Sequence, residues 1–150
     1  MIIFGVDPGM STGLARYESG RLVVLVTLLP TDLLREIISA RPGLVVIEDS
    51  RLTSHTWARP GLSPTAQQKL ARNVGQIDAW CRQIEDLCKR QNIDFIGRSP
   101  REKGTKLDSQ TFNKFVGRDK PSNQHERDAA LVAWPFRSMK TRSNSACASA

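Results

Sequence analysis

Three carboxylates far apart in the chain, Asp7, Glu48 and Asp128, each stand where an apolar segment begins or ends. Asp7 closes the run Ile2-Ile3-Phe4-Gly5-Val6 and is followed at once by Pro8-Gly9; Glu48 closes Leu44-Val45-Val46-Ile47. His125 and Asp128 are three residues apart at the head of the apolar stretch Ala129-Ala130-Leu131-Val132, so in a helix they share one face. Oxygen ligands of this kind suit a hard cation such as magnesium, which binds one or two carboxylates and fills its remaining positions with water and substrate phosphate. Metal-assisted hydrolysis of a phosphodiester is the chemistry such a set performs. Taken singly, each residue has a plainer reading. Asp-Pro-Gly makes an ordinary turn, a strand-end acid is simply solvated, and His125 with Asp128 can cap a helix. Their conjunction is what points to a hydrolytic site.

The elements that must carry these residues follow from periodicity. The run ending at Asp7 reads as a buried strand, Thr12 to Tyr17 as a second, and Leu22 to Leu29 as a third after a turn at Glu18-Ser19-Gly20. Pro30-Thr31-Asp32 opens a helix with Leu33, Leu34, Ile37 and Ile38 on one face, ending near Arg41-Pro42-Gly43. Leu44 to Glu48 is short, β-branched and continuously apolar, as expected of a central parallel strand covered on both faces. If this strand neighbours the first, Asp7 and Glu48 emerge side by side. Residues 50–64 have no periodicity and form an irregular connection. From Thr65 to Arg90, apolar residues at Leu70, Val74, Ile77, Cys81, Ile84 and Cys88 recur in helical steps, broadened by Trp80 and Leu87. That stripe predicts a long helix whose apolar face is core, dimer seam or both. A strand at Ile93 to Ile96 and helices at Ser109 to Val116 and His125 to Phe136 complete the chain.

The 150 residues suffice for one domain, assigned to residues 1–136, with residues 137–150 expected to form a disordered tail of small and basic residues. Lys plus Arg number 22 against 15 Asp plus Glu, a net charge of +7, which favours a polyanionic partner such as nucleic acid. Cys81 and Cys88 would lie about 10 Å apart along one helix, too far for a disulfide. With Cys147 they suggest a reducing, cytoplasmic setting. No apolar stretch approaches the length of a membrane span, so no membrane association is expected.

Phe4-Gly5-Val6-Asp7-Pro8-Gly9 with Thr12-Gly13 resembles the opening motif of RuvC-type Holliday junction resolvases in the RNase H-like nuclease superfamily. Ile47-Glu48 is similar to that family's second acidic position, Ala71 to Gly75 to the Ala and Gly pattern of its long helix, and His125-x-x-Asp128-Ala129 to its C-terminal motif. The resemblance extends over residues 1–136. It implies an α/β, RNase H-like fold, a five-stranded mixed sheet flanked by helices, with Asp7, Glu48, His125 and Asp128 as the active site. It further implies Mg2+, replaceable by Mn2+, with two ions held per site, and a homodimer acting on four-way or other branched double-stranded DNA. Cleavage would leave 5′-phosphate and 3′-hydroxyl ends.

The chain departs from the pattern at Arg51, where such resolvases carry an aromatic residue, so a wedge at the junction centre would fall to His55 or Trp57; Arg51, His55, Trp57 and Arg59 of this connection are all read as DNA-binding residues. Lys103, Lys106, Lys114 and Arg118, together with Arg98 and Arg101, read as phosphate contacts. Two other readings compete: a non-catalytic module that binds branched DNA, and an actin-like ATP-binding phosphotransferase fragment, since Asp7-x-Gly9-x-x-Thr12-Gly13 also resembles a phosphate-binding hairpin. One domain without a second phosphate loop counts against the latter.

Overall fold

The computed structural model describes residues 1–53, 60–102 and 104–140. The strands are β1 (Ile2–Asp7), β2 (Thr12–Glu18), β3 (Arg21–Leu28), β4 (Leu44–Glu48) and β5 (Asp94–Arg98). The helices are α1 (Pro30–Ala40), α2 (Pro64–Gln91), α3 (Ser109–Val116) and α4 (Gln124–Ala133), with 3-10 turns at Ser50–Leu52 and Trp134–Phe136. The sheet order is β3-β2-β1-β4-β5. β1, β2 and β3 form an antiparallel meander, whereas β4 runs parallel to both β1 and β5, so the sheet is mixed.

Local chemistry explains where the elements stop. Ser19 and Gly20 both have positive φ, 49° and 81°, the left-handed pair that lets a two-residue loop follow the twist of the β2–β3 hairpin. Pro30 begins α1 and Arg41 ends it in the left-handed conformation. In α2, the Ser63 side chain accepts from Ala66 N at 3.2 Å, Pro64 occupies the first turn, and Asn92 closes the helix with φ 55°.

Side-chain alternation along the strands divides the core in two. On one face Phe4, Val6, Leu14, Val45 and Ile47 meet Leu33 and Ile37 of α1 and Cys81, Ile84, Leu87 and Cys88 of α2. On the other, Ile3, Ala15, Tyr17, Leu44 and Val46 meet Phe112 of α3 and Ala129, Ala130, Val132 and Ala133 of α4. The small residues of α4 let its backbone lie almost on the sheet. Gly5 and Gly13 complete that approach: a Cβ at either would overlap a carbonyl oxygen of α4, that of Ala129 or His125 respectively. Tyr17 spans the same interface, its hydroxyl donating to Ala130 O at 2.8 Å.

The α2 stripe is core only in part. Its 28 residues make a rod of about 42 Å, yet the fully buried positions are confined to Cys81, Ile84, Leu87 and Cys88. Leu70, Val74, Ile77 and Trp80 are half-buried, because the sheet beneath ends before the helix does. Residues 137–140, assigned to the tail from sequence, continue the last turn, with the Arg137 guanidinium stacked 3.7 Å over the Trp134 ring. No described helix is long and apolar enough to cross a membrane.

Candidate active site

The register of β1 on β4 pairs Val6 with Ile47, so the two parallel strands finish side by side and deliver Asp7 and Glu48 next to one another. Alternation directs Asp7 to the face of Ile3 and Gly5, and Glu48 to the face of Leu44 and Val46. Both faces are the one that α4 covers.

The start of α4 is fixed over these strand ends. Asn123 and Glu126 form a reciprocal capping box: Glu126 N donates to Asn123 Oδ1 at 3.0 Å and Asn123 N to Glu126 Oε2 at 3.1 Å. Thr27 of β3 accepts from Asn123 Nδ2 at 2.7 Å, tying the cap to the sheet. From this anchored turn His125 reaches the strand end, its Nδ1 2.8 Å from Asp7 Oδ2. Its side chain is 51% exposed, against 15% for Asp7. Asp128, one turn on, is only 4% exposed and accepts from Gln124 Nε2 at 2.7 Å.

Beside the pair lies a cleft of about 430 Å³ lined by Asp7, His125, the Pro8–Ser11 loop and Asn73, Gln76 and Trp80 of α2. The loop is shaped by Thr12 Oγ1 donating to Gly9 O at 2.6 Å.

Donor chemistry fits a divalent cation: oxygen from three carboxylates and an imidazole oriented by one of them. The structure brings Asp7 and His125 into contact and sets Glu48 and Asp128 on the same side of the sheet. It does not close the set, for among the described residues no group of three His, Cys, Asp or Glu side chains is gathered tightly enough to hold a metal ion.

Among the residues expected to meet DNA, Lys106 and Lys114 are exposed and Arg118 is half-exposed. His55, Trp57, Arg59 and Lys103 lie outside the described residues. Arg98 is occupied internally, donating to Val132 O at 3.0 Å and Glu102 O at 2.8 Å. Arg51 likewise turns inward to Asp49 and Glu85. The Asp49 hydrogen bond, joined by that of Glu85, outweighs desolvation and raises the pKa of Arg51; Lys89 and then Arg51 hold the Glu85 carboxyl below its ordinary range. Sequence reasoning missed two groups here. Gln124 was open to detection, since Gln and Asp four apart on a helix are neighbours. Glu85 was not, being 34 residues from Arg51 with no local pattern to join them.

Sequence comparison matches the chain to no family model and to no curated protein. Its fold, however, matches solved structures. Thermus thermophilus RuvC in complex with a Holliday junction substrate aligns with a TM-score of 0.60 over 89% of this chain and 90% of that one, at 16% identity. A second Thermus thermophilus RuvC structure aligns with a TM-score of 0.59, covering 89% and 92% at 16% identity. The chain therefore has a RuvC-like fold of the RNase H-like type, a mixed five-stranded sheet flanked by helices.

Proposed function

We propose that the protein is a metal-dependent, structure-specific endodeoxyribonuclease that resolves four-way or other branched DNA junctions. The observation that carries this reading is the delivery of Asp7 and Glu48 from adjacent parallel strands onto the face where α4 presents His125 and Asp128. Support comes also from the likeness to a structure of a resolvase bound to its junction, and from the net charge of +7.

In this reading Asp7, Glu48, Asp128 and His125 hold Mg2+, with Mn2+ able to substitute and two ions per site. A metal held there would supply Lewis-acid activation of water and charge neutralisation at the phosphate. The chain's own residues organise the rest. Asp7 engages His125 Nδ1 and thereby fixes the ring, leaving Nε2 as the nitrogen turned to the metal. The anchored cap of α4 keeps His125 and Asp128 at a set height over the strand ends. Exposed Lys106 and Lys114 engage phosphates away from the cut, and a homodimer presents two such sites to symmetric strands.

The test is a labelled four-way junction, a fork and a linear duplex incubated with protein, with and without Mg2+ or Mn2+. Paired symmetric nicks on the junction are expected only with metal, and Asp7→Asn is expected to abolish them while retaining junction binding. Metal-independent or absent nicking by the wild type ends the nuclease reading. Tight junction binding with no nicking would leave a non-catalytic branched-DNA module.

A further inference from the structure

The residues immediately after Glu48 are fastened one by one to the opposite face of the sheet. Asp49 turns away from Glu48 toward α2 and is 3% exposed. Gly97 of β5 leaves the space it fills, since a Cβ there would come within 2.7 Å of Asp49 Oδ2. Asp49 N donates to Arg98 O at 2.7 Å, prolonging the β4–β5 pairing by one residue.

Its carboxylate receives a fork from Arg51, with Nε 2.8 Å from Oδ1 and Nη2 2.6 Å from Oδ2, and the Arg51 backbone N adds a third bond to Oδ1 at 3.1 Å. The same Nη2 reaches Glu85 Oε2 of α2 at 2.8 Å, while Lys89 Nζ holds the other Glu85 oxygen at 2.7 Å. Between them Ser50 Oγ donates to Asp78 Oδ1 at 2.6 Å. Asp78 and Glu85 are two helical turns apart, so both bonds grip one side of α2.

A bidentate ion pair whose carboxylate is buried and whose guanidinium is half-buried is an inefficient way to gain stability, because desolvating the carboxylate offsets much of the attraction. What such a pair does supply is fixed geometry, since the planar fork accepts one orientation of the carboxylate. We propose that Asp49, Arg51 and Glu85 form a clamp that positions Glu48 relative to Asp7 and sets the direction in which residues 50–53 leave the sheet. Arg51 is then a positioning residue and not a DNA contact. The proposal rests on the metal-dependent nuclease reading above, and its test separates the two.

Wild type, Arg51→Ala, Arg51→Lys and Glu85→Gln are compared in three measurements: Mn2+ binding without DNA by electron paramagnetic resonance, kcat and KM on the junction, and amide exchange over residues 48–53. Arg51→Ala is expected to weaken Mn2+ binding and lower kcat by about tenfold each, as removal of a group that orients metal ligands does. KM stays unchanged and amides 49–53 exchange faster. Arg51→Lys keeps the charge, loses the fork and recovers part of each effect; Glu85→Gln moves all readouts in the same direction by less. The clamp is overturned if Arg51→Ala leaves Mn2+ affinity and kcat intact while junction affinity and its salt slope fall, the signature of a phosphate contact. Should the wild type bind no Mn2+, the nuclease reading fails by itself, and unchanged protection of amides 49–53 in Arg51→Ala then overturns the clamp. If Arg51→Ala does not fold, the comparison is carried by Arg51→Lys.

Discussion

Burial dominates the chemistry of the two thiols on α2. Desolvation pushes Cys88 up to about 12 and Cys81 up to about 11, with nearby acids adding to the rise. Both stay protonated at neutral pH and are inert. In the unfolded chain a thiol ionises near 8.5, below either folded value. The unfolded state therefore releases protons first, and their contribution to stability is complete below about pH 8.5 and is lost as pH rises toward 11 to 12. In a Cys147→Ser variant, a thiol reagent at pH 7 is expected to label nothing in the native protein and both cysteines in denaturant; native labelling would show that the α2 face opens. Residues of this kind are legible in sequence because the apolar period announces their burial. The placement of Asp7, Glu48 and Asp128 on one side of the sheet was legible for a related reason, each bounding an apolar run. The partnership of Arg51 with Asp49 and Glu85 was not, since it depends on where a helix begun at Pro64 happens to pass β4.

At the level of elements, α4 is held by its first turn as much as by its apolar face. Asn123 is at once the cap of the helix and its tether to Thr27 of β3. Asn123→Ala is expected to cost about 1 kcal/mol, as loss of a cap does, measured as a lower denaturant midpoint with an unchanged slope. An unaltered midpoint would mean that packing alone sets the helix start. Element boundaries were readable to within one or two residues near Pro30, Ser63 and Asn92, but the last helix, read to Phe136, ends as an α-helix at Ala133, where Pro135 turns it into a 3-10 turn. The extent of the α2 core was not readable, because periodicity records which side of a helix is apolar and says nothing of how far its neighbours run. Leu70 and Val74 keep the period beyond the part of the helix whose residues are fully buried.

For the whole molecule the relevant quantity is the distribution of +7 charge. Several arginines counted in that total are spent internally, Arg51 on Asp49 and Glu85, Arg98 on Glu102 and the Val132 carbonyl, Arg127 on Leu107 O. The exposed lysines therefore matter more than the total suggests. Lys106→Ala and Lys114→Ala are each expected to reduce the slope of log affinity against log salt for a four-way junction by about 1, with weaker binding to every sequence alike. Salt titration of binding checks this, and an unchanged slope would exclude that lysine from the contact. The mixed five-stranded sheet was legible through the family resemblance of the motifs, whereas the adjacency of the first and fourth strands stood only as a condition until the β1–β4 pairing met it.

Gly5 and Gly13 act as a hard stop between α4 and the sheet. An added methyl at either would strike a main-chain oxygen first, with the Ala133 Cβ a second obstacle at Gly5, so trimming a neighbour cannot make room for it. Only lifting the helix would, and His125 and Asp128 would be carried off with it. In a genetic screen, damage at these two positions should accordingly find no second-site suppressor among side chains, and true reversion is the one route back.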